Sequence, residues 1–217
     1  MRGALAVENT SEPEQLANYI RSLAGFERYT PGGSYGHVGA TLANAVLQSN
    51  NNYERNVQPR VERIREEYAR ETSLRDIKRL LGKITAQEFL HWNGTRKAKT
   101  FNDLVKLLSQ EGVNTEDDLR QWLQRDDSKA KLLKIHFIGQ KTVDYLKILV
   151  GLDEEAMDRH LLGFLERAGL GKLNYERGKE VIHRTADLMG WKRAHLDHSI
   201  WRYMSGGKQS RLGSTTE

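Results

Sequence analysis

Two residues have the types and setting for chemistry, Lys141 and, beyond the helix that follows it, Asp158. A lysine amine is a nucleophile once it has lost its proton. With an unperturbed pKa near 10.4, only about one molecule in 2,500 is neutral at pH 7, a penalty of roughly 4.6 kcal/mol. Partial burial, the positive end of a helix or a nearby base can lower that cost. Asp158 could stabilise positive charge that develops on a substrate, or help to activate a nucleophile. Each residue also has a plain structural reading: Lys141 as a surface cation, and Asp158 as the N-cap of a helix starting at 159.

Lys141 stands in the segment Lys131-Leu-Leu-Lys-Ile-His-Phe-Ile-Gly-Gln-Lys-Thr-Val-Asp-Tyr-Leu-Lys-Ile-Leu-Val150. The pattern predicts a helix, a tight turn containing Gly139, and a second helix. The backbone N–H groups at the start of that second helix, together with its dipole, can bind a phosphate oxygen whatever the base sequence. Phe137, Ile138, Gly139, Gln140 and Thr142 are the residues placed to grip a nucleic-acid backbone. An ordinary helix-turn-helix corner in a core would have the same pattern.

Other constellations carry less. His195-Leu196-Asp197-His198 puts two imidazoles on one helix face, but no third ligand is visible, so no metal site is expected. Trp92 and Phe89 precede the basic loop Asn93-Gly94-Thr95-Arg96-Lys97, an aromatic-plus-cation pairing used by nucleic-acid binders and equally consistent with a buried helix end. Gln48, Asn50 and Asn51 lie in a polar run that reads either as a solvated loop or as part of a pocket. Trp191, Trp201 and Tyr203 have spacings suited to core packing. Lys208 and Arg211 are tail cations.

The elements that must hold these residues are helical. Of 217 residues only three are proline, and Leu, Lys, Arg, Glu and Ala dominate the long stretches between breakers. Apolar periodicity and capping residues predict helices at about 12–24, 40–47, 54–71, 73–81, 85–92, 96–109, 115–125, 128–135, after the turn at Gly139, and at 159–168, 174–189 and 191–204. Residues 29–36, with their proline and glycines, form a loop and the best candidate boundary. The stretch from 205 to 217 has the composition of a frayed tail.

Composition narrows the partners. A net charge of +5 favours a polyanion. The absence of cysteine excludes disulfides, thiolate zinc sites, thiolate nucleophiles and cysteine-ligated iron-sulfur clusters together. No segment approaches the roughly 18 apolar residues of a membrane span, and no signal sequence develops at the start. The expectation is a soluble intracellular protein of the cytoplasm, nucleoid or nucleus.

Ile138-Gly139-Gln140-Lys141-Thr142, paired with Asp158-Arg159-His160-Leu161, resembles the helix-hairpin-helix DNA glycosylases, whose members have a Gly-rich hairpin, a lysine and a later aspartate. The resemblance spans roughly residues 40 to 205 and is specific over 131–170. One departure is visible: the family's hairpin usually has two glycines, and Phe137 occupies the place of the first. The resemblance implies an all-α fold of two helical lobes. A central lobe of 39–172 would contain the hairpin at about 128–150, a terminal lobe would combine 1–38 with 173–205, and 206–217 would be a flexible tail.

It also implies an activity. Such enzymes turn a damaged base out of the duplex, so they need a phosphate grip, a wedge and a pocket. By resemblance, Lys141 and Asp158 are the catalytic pair, and the lysine amine displaces the base, forms a Schiff base and cuts the strand by β-elimination. Gln48, Asn50, Asn51, Trp92 and Trp201 are the candidates for pocket or wedge. Members acting on oxidised pyrimidines or adenine mispairs commonly have a four-cysteine cluster, which this chain cannot build. The cluster-free members with the lysine are typically 8-oxoguanine glycosylases, so 8-oxoguanine in double-stranded DNA is the expected substrate, with no cofactor and a monomeric protein. Another oxidised, deaminated or alkylated base is the alternative within the family. A noncatalytic DNA-binding module is the alternative outside it.

Overall fold

The computed structural model describes residues 10–206; the predicted tail and its cations Lys208 and Arg211 lie outside them. The described chain is built from twelve α-helices and two π-helical turns, with no strand among the described residues. None of the described helices is long and apolar enough to cross a membrane. The chain divides into two compact units, residues 32–156 and the flanking stretches 10–31 and 157–206. The first division falls within the loop 29–36. The second falls between Ala156 and Met157, ahead of the boundary at 172 implied by the resemblance: residues 159–165 pack on the helix 193–206, and residues 166–170 on the helix 12–22.

The unit 32–156 is organised around α2 (Val38–Gln48). This helix has no charged residue, and every position from Val38 to Leu47 is buried, as an all-round apolar helix requires. It packs against α3 (Gln58–Glu67), α4 (Leu74–Leu80), α6 (Thr95–Gln110) and α9 (Gln140–Leu149). Close approach depends on Gly39: a Cβ there would meet Ile77 Cδ1 at 2.7 Å and Phe89 Cζ at 2.9 Å. The rings of Tyr68, Phe89 and Phe101 stack in series, with centroids 5.2 Å apart at each step. The short helices α5 (Ala86–Phe89), α7 (Glu116–Leu123) and α8 (Ser128–Leu132) complete the unit.

Both ends of α2 are tied by side chains. At the N terminus, His37 Nδ1 accepts from the Ala40 N–H at 3.2 Å while Nε2 donates to the Tyr68 carbonyl at 3.1 Å, which defines a neutral ring. Burial pushes its pKa below the usual histidine value. Nearby, the Glu116 carboxylate accepts from the Gly36 N–H and the Thr41 hydroxyl. At the C terminus, the Lys97 ammonium donates to the carbonyls of Val46, Leu47 and Ser49 at 2.9, 3.0 and 2.7 Å.

One helix predicted as continuous, 54–71, is interrupted. Its first turn, Tyr53–Val57, is π-helical, with the Gln58 N–H reaching back to the Tyr53 carbonyl, and the regular helix α3 ends at Glu67. Pro59 stands in the first turn of α3 and has no N–H with which to extend an α-helical ladder backwards.

In the unit formed by 10–31 and 157–206, α1 (Glu12–Ser22) packs on α11 (Tyr175–Met189), and α10 (Arg159–Leu165) on α12 (Arg193–Gly206). A π-helical turn, Glu166–Leu170, follows α10. Phe26 joins the rings of Phe164, Trp191 and Tyr203 in its core. Trp191 and Tyr203 therefore lie where their spacing suggested.

Candidate functional site

The segment that drew attention in the sequence folds as two helices with an irregular connection, longer than the tight turn predicted. The first helix, α8, stops at Leu132, and residues 133–139 lead to α9. Within them Ile138 N–H donates to the Ile135 carbonyl at 3.1 Å, which closes a β-turn with His136 and Phe137 at its centre. Phe137 takes the third position with φ 69°, the left-handed region that favours glycine there. Phe137 thus holds a glycine-like backbone, at a cost of about 1–2 kcal/mol for a residue with a Cβ.

Gly139 behaves differently. It is the N-cap of α9 with extended geometry, φ −104° and ψ 177°, and a Cβ there would meet nothing within 4 Å. Neither its conformation nor its neighbours demand glycine. Its missing side chain leaves open access to the start of α9, where first-turn N–H groups lack intrahelical acceptors. No side chain caps this end, and its first turn has no acidic residue. The Gly139 carbonyl itself accepts from the N–H groups of Thr142 and Val143 at 3.0 and 3.2 Å.

Beside this helix start is a cavity of about 420 Å³. One wall is the end of α2, with Ala45, Gln48, Ser49 and Asn50; the other is Phe137, Ile138 and Gly139 followed by Lys141, Thr142 and Tyr145 of α9. Lys141 and Tyr145, one helical turn apart, share a face. The Tyr145 hydroxyl reaches Asn44 Oδ1 at 3.3 Å, and Asn44 in turn donates to the Tyr35 hydroxyl at 2.7 Å, so the ring is held from inside the core. Gln48 Oε1 is buried and has no hydrogen-bond partner. An orphaned acceptor of this kind costs free energy until a donor reaches it.

The cavity therefore brings together Gln48, Asn50, Phe137, Ile138, Gly139, Lys141 and Thr142 from the sequence-derived candidates. Others are placed elsewhere. Gln140 turns to the Asp144 carboxylate, with Nε2 at 3.2 and 3.1 Å from its two oxygens. Asn51 donates to the Leu47 carbonyl at 2.6 Å and serves the end of α2. Trp92 is not a lining residue; its ring lies under Arg60 and Lys97, whose charged groups are 5.2 and 5.6 Å from the centroid. Asp158 and Trp201 belong to the other unit. There Asp158 caps α10, with Oδ1 accepting from the N–H groups of His160 and Leu161 at 2.8 and 3.1 Å. Trp201 stacks on His198 at 5.8 Å, and the His195 Nδ1 is 3.3 Å from an Arg28 nitrogen.

Two participants escaped the sequence reading. Tyr145 had a usable signal, its spacing of four from Lys141. Lys97 had a signal only in its nearness to Trp92; its role at the end of α2 had none, since its acceptors are about fifty positions away in the chain. Burial pushes the Lys97 pKa down to about 8, so at neutral pH the ammonium is still charged and all three of its N–H groups are used.

No curated protein and no solved structure matches the chain. A family model does, over residues 14–205, and the chain belongs to that family, which is described as a domain of unknown function (DUF8548).

Proposed function

We propose that the protein is a DNA glycosylase with associated AP lyase activity, in which α8, residues 133–139 and α9 act as a helix-hairpin-helix and Lys141 is the nucleophile. The observation that carries this reading is the joint placement of Lys141 and an uncapped, acid-free helix start on one cavity wall. A phosphate held at the start of α9 brings the adjoining deoxyribose within the lysine's reach. The cavity volume lies in the range of small-molecule sites, and its far wall supplies the unsatisfied Gln48 acceptor.

In the reaction, the neutral Lys141 Nζ attacks C1′ as the bond from C1′ to the base breaks. The departing base takes the bonding pair and a proton. Opening of the sugar ring with loss of an amine proton gives the Schiff base. Removal of a C2′ proton then expels the 3′ phosphate oxygen and cuts the strand. Asp158 supplies a carboxylate toward the positive sugar in this proposal. For the base, 8-oxoguanine fits the Gln48 acceptor: its N7 bears a hydrogen, whereas the N7 of guanine is an acceptor.

Borohydride trapping tests the proposal. Wild-type protein should form a covalent adduct with duplexes containing an abasic site or 8-oxoguanine. The Lys141→Gln variant should bind the same duplexes and form none. Absence of an adduct with any lesion in a broad panel would end the lyase reading and favour a noncatalytic DNA-binding module. Trapping by the variant would move the nucleophile to another residue.

A further inference from the structure

Phe137 is half exposed, one of three large apolar side chains in that state among the described residues. Folding gains little from a phenylalanine there. Its backbone holds a φ of 69°, and a glycine would take that position without strain. The ring nevertheless has an organised setting. The Arg96 guanidinium carbon lies 4.5 Å from its centroid, and the His136 ring meets it at 68°, with centroids 3.9 Å apart. Arg96 is itself exposed, in the first turn of α6, where no acidic residue competes for it. The ring also forms part of the cavity wall that includes Lys141.

A partly exposed ring with a planar cation over it, beside a cavity, is the chemistry that receives the face of a nucleobase. Bases stack on aromatic rings and on guanidinium planes irrespective of sequence, and the cation also favours the adjoining phosphates. We infer that Phe137 and Arg96 form a stacking platform for an unpaired base next to the extruded nucleotide. This gives Phe137 a role toward a base, where the hairpin pattern alone would give it one toward a phosphate. The inference rests on the DNA-binding reading of the cavity and does not require the lyase chemistry.

The test therefore uses a duplex that cannot be cut, containing a tetrahydrofuran abasic analogue and the fluorescent base aminopurine, placed in turn opposite the analogue and on either side of it. Wild-type protein should change the aminopurine emission at one of these positions. Phe137→Gly should remove that change and weaken binding roughly 5-fold to 100-fold. Its thermal unfolding midpoint should equal or exceed that of wild type, which separates lost stacking from lost folding. Phe137→Tyr should retain the emission change. If wild type binds the duplex tightly but emission is unaltered at every position, or if Phe137→Gly matches wild type in affinity and emission, the platform is overturned while the DNA-binding reading survives. If wild type binds no duplex, the DNA-binding reading falls and the platform with it.

Discussion

Lys97→Met should loosen the cavity wall that contains Gln48 and Asn50, and the size of the effect can be worked from the contacts. The ammonium satisfies three carbonyls at the end of α2. Ser49 is exposed and its carbonyl can turn to water, whereas Val46 and Leu47 are 4% and 0% exposed, so theirs cannot readily do so. The Val46 acceptor is stranded, at about 1–3 kcal/mol, and Leu47, which keeps the Asn51 amide, loses a charge-assisted bond worth about 1.5–3 kcal/mol, so the loss is about 2.5–6 kcal/mol. Methionine recovers the burial penalty on the ammonium that pushes its pKa to about 8; for a side chain still partly open to water, solvent screening reduces that recovery to about 1–2 kcal/mol. The net loss is about 0.5–5 kcal/mol. Urea denaturation at neutral pH, followed by a probe in the unit 32–156, should show the midpoint falling accordingly. Hydrogen exchange should speed up over 48–52 more than in α11. Lys97→Arg should recover only part of the loss, because a planar fork cannot direct three hydrogens at three converging carbonyls. An unchanged midpoint in Lys97→Met would refute the reasoning and reduce the contacts to a surface ion–dipole cluster.

Asp158 offers a substitution that separates capping from chemistry. Asparagine caps a helix about as well as aspartate, so Asp158→Asn should leave the unfolding midpoint unchanged and slow single-turnover base excision at least tenfold, while Asp158→Ala should also lose about 1 kcal/mol of stability; unaltered excision by Asp158→Asn would leave the residue as a cap alone. His37 predicts an acid-sensitive unit. Burial lowers its folded pKa below the unfolded value of about 6.5, so the unfolded chain takes up the proton first and stability falls as pH drops through that value, by up to about 1.4 kcal/mol per pH unit. His37→Asn, which retains a cap acceptor without the titration, should flatten the urea midpoint between about pH 7.5 and 5.5 by that share, and an identical slope in the variant would place the sensitivity elsewhere.

The helices were legible because their signals are local. Ser11, Ser73, Thr85, Thr115 and Asn174 stand at helix starts, and the apolar stripe of Phe101, Leu104, Val105 and Leu108 is buried as its spacing requires. Boundaries failed where a donor was missing or a turn intervened: the π-helical turn Tyr53–Val57 precedes Pro59 in the first turn of α3, and α8 ends at Leu132 because the chain then turns about His136 and Phe137. The cavity was half legible. Lys141 and Gln48 were identified from their surroundings in sequence, but the closure of α2 by Lys97 is a contact between distant segments, and nothing near either partner announces it.

The two glycine-like positions of the hairpin show why a motif read along the chain needs its backbone. Sequence reading put the turn at Gly139 and noted Phe137 as a departure at the place of the other glycine. In the folded chain the left-handed residue is Phe137, and Gly139 is an extended cap with room around it. Glycine at 139 is thus not required by the turn, and phenylalanine at 137 stands against its backbone preference. Both residues edge the same cavity. A strained aromatic next but one to a glycine that its backbone does not require is a poor choice for stability, and on the proposed reading that conjunction, more than either residue's identity, suits the reception of a flat base and an anionic backbone.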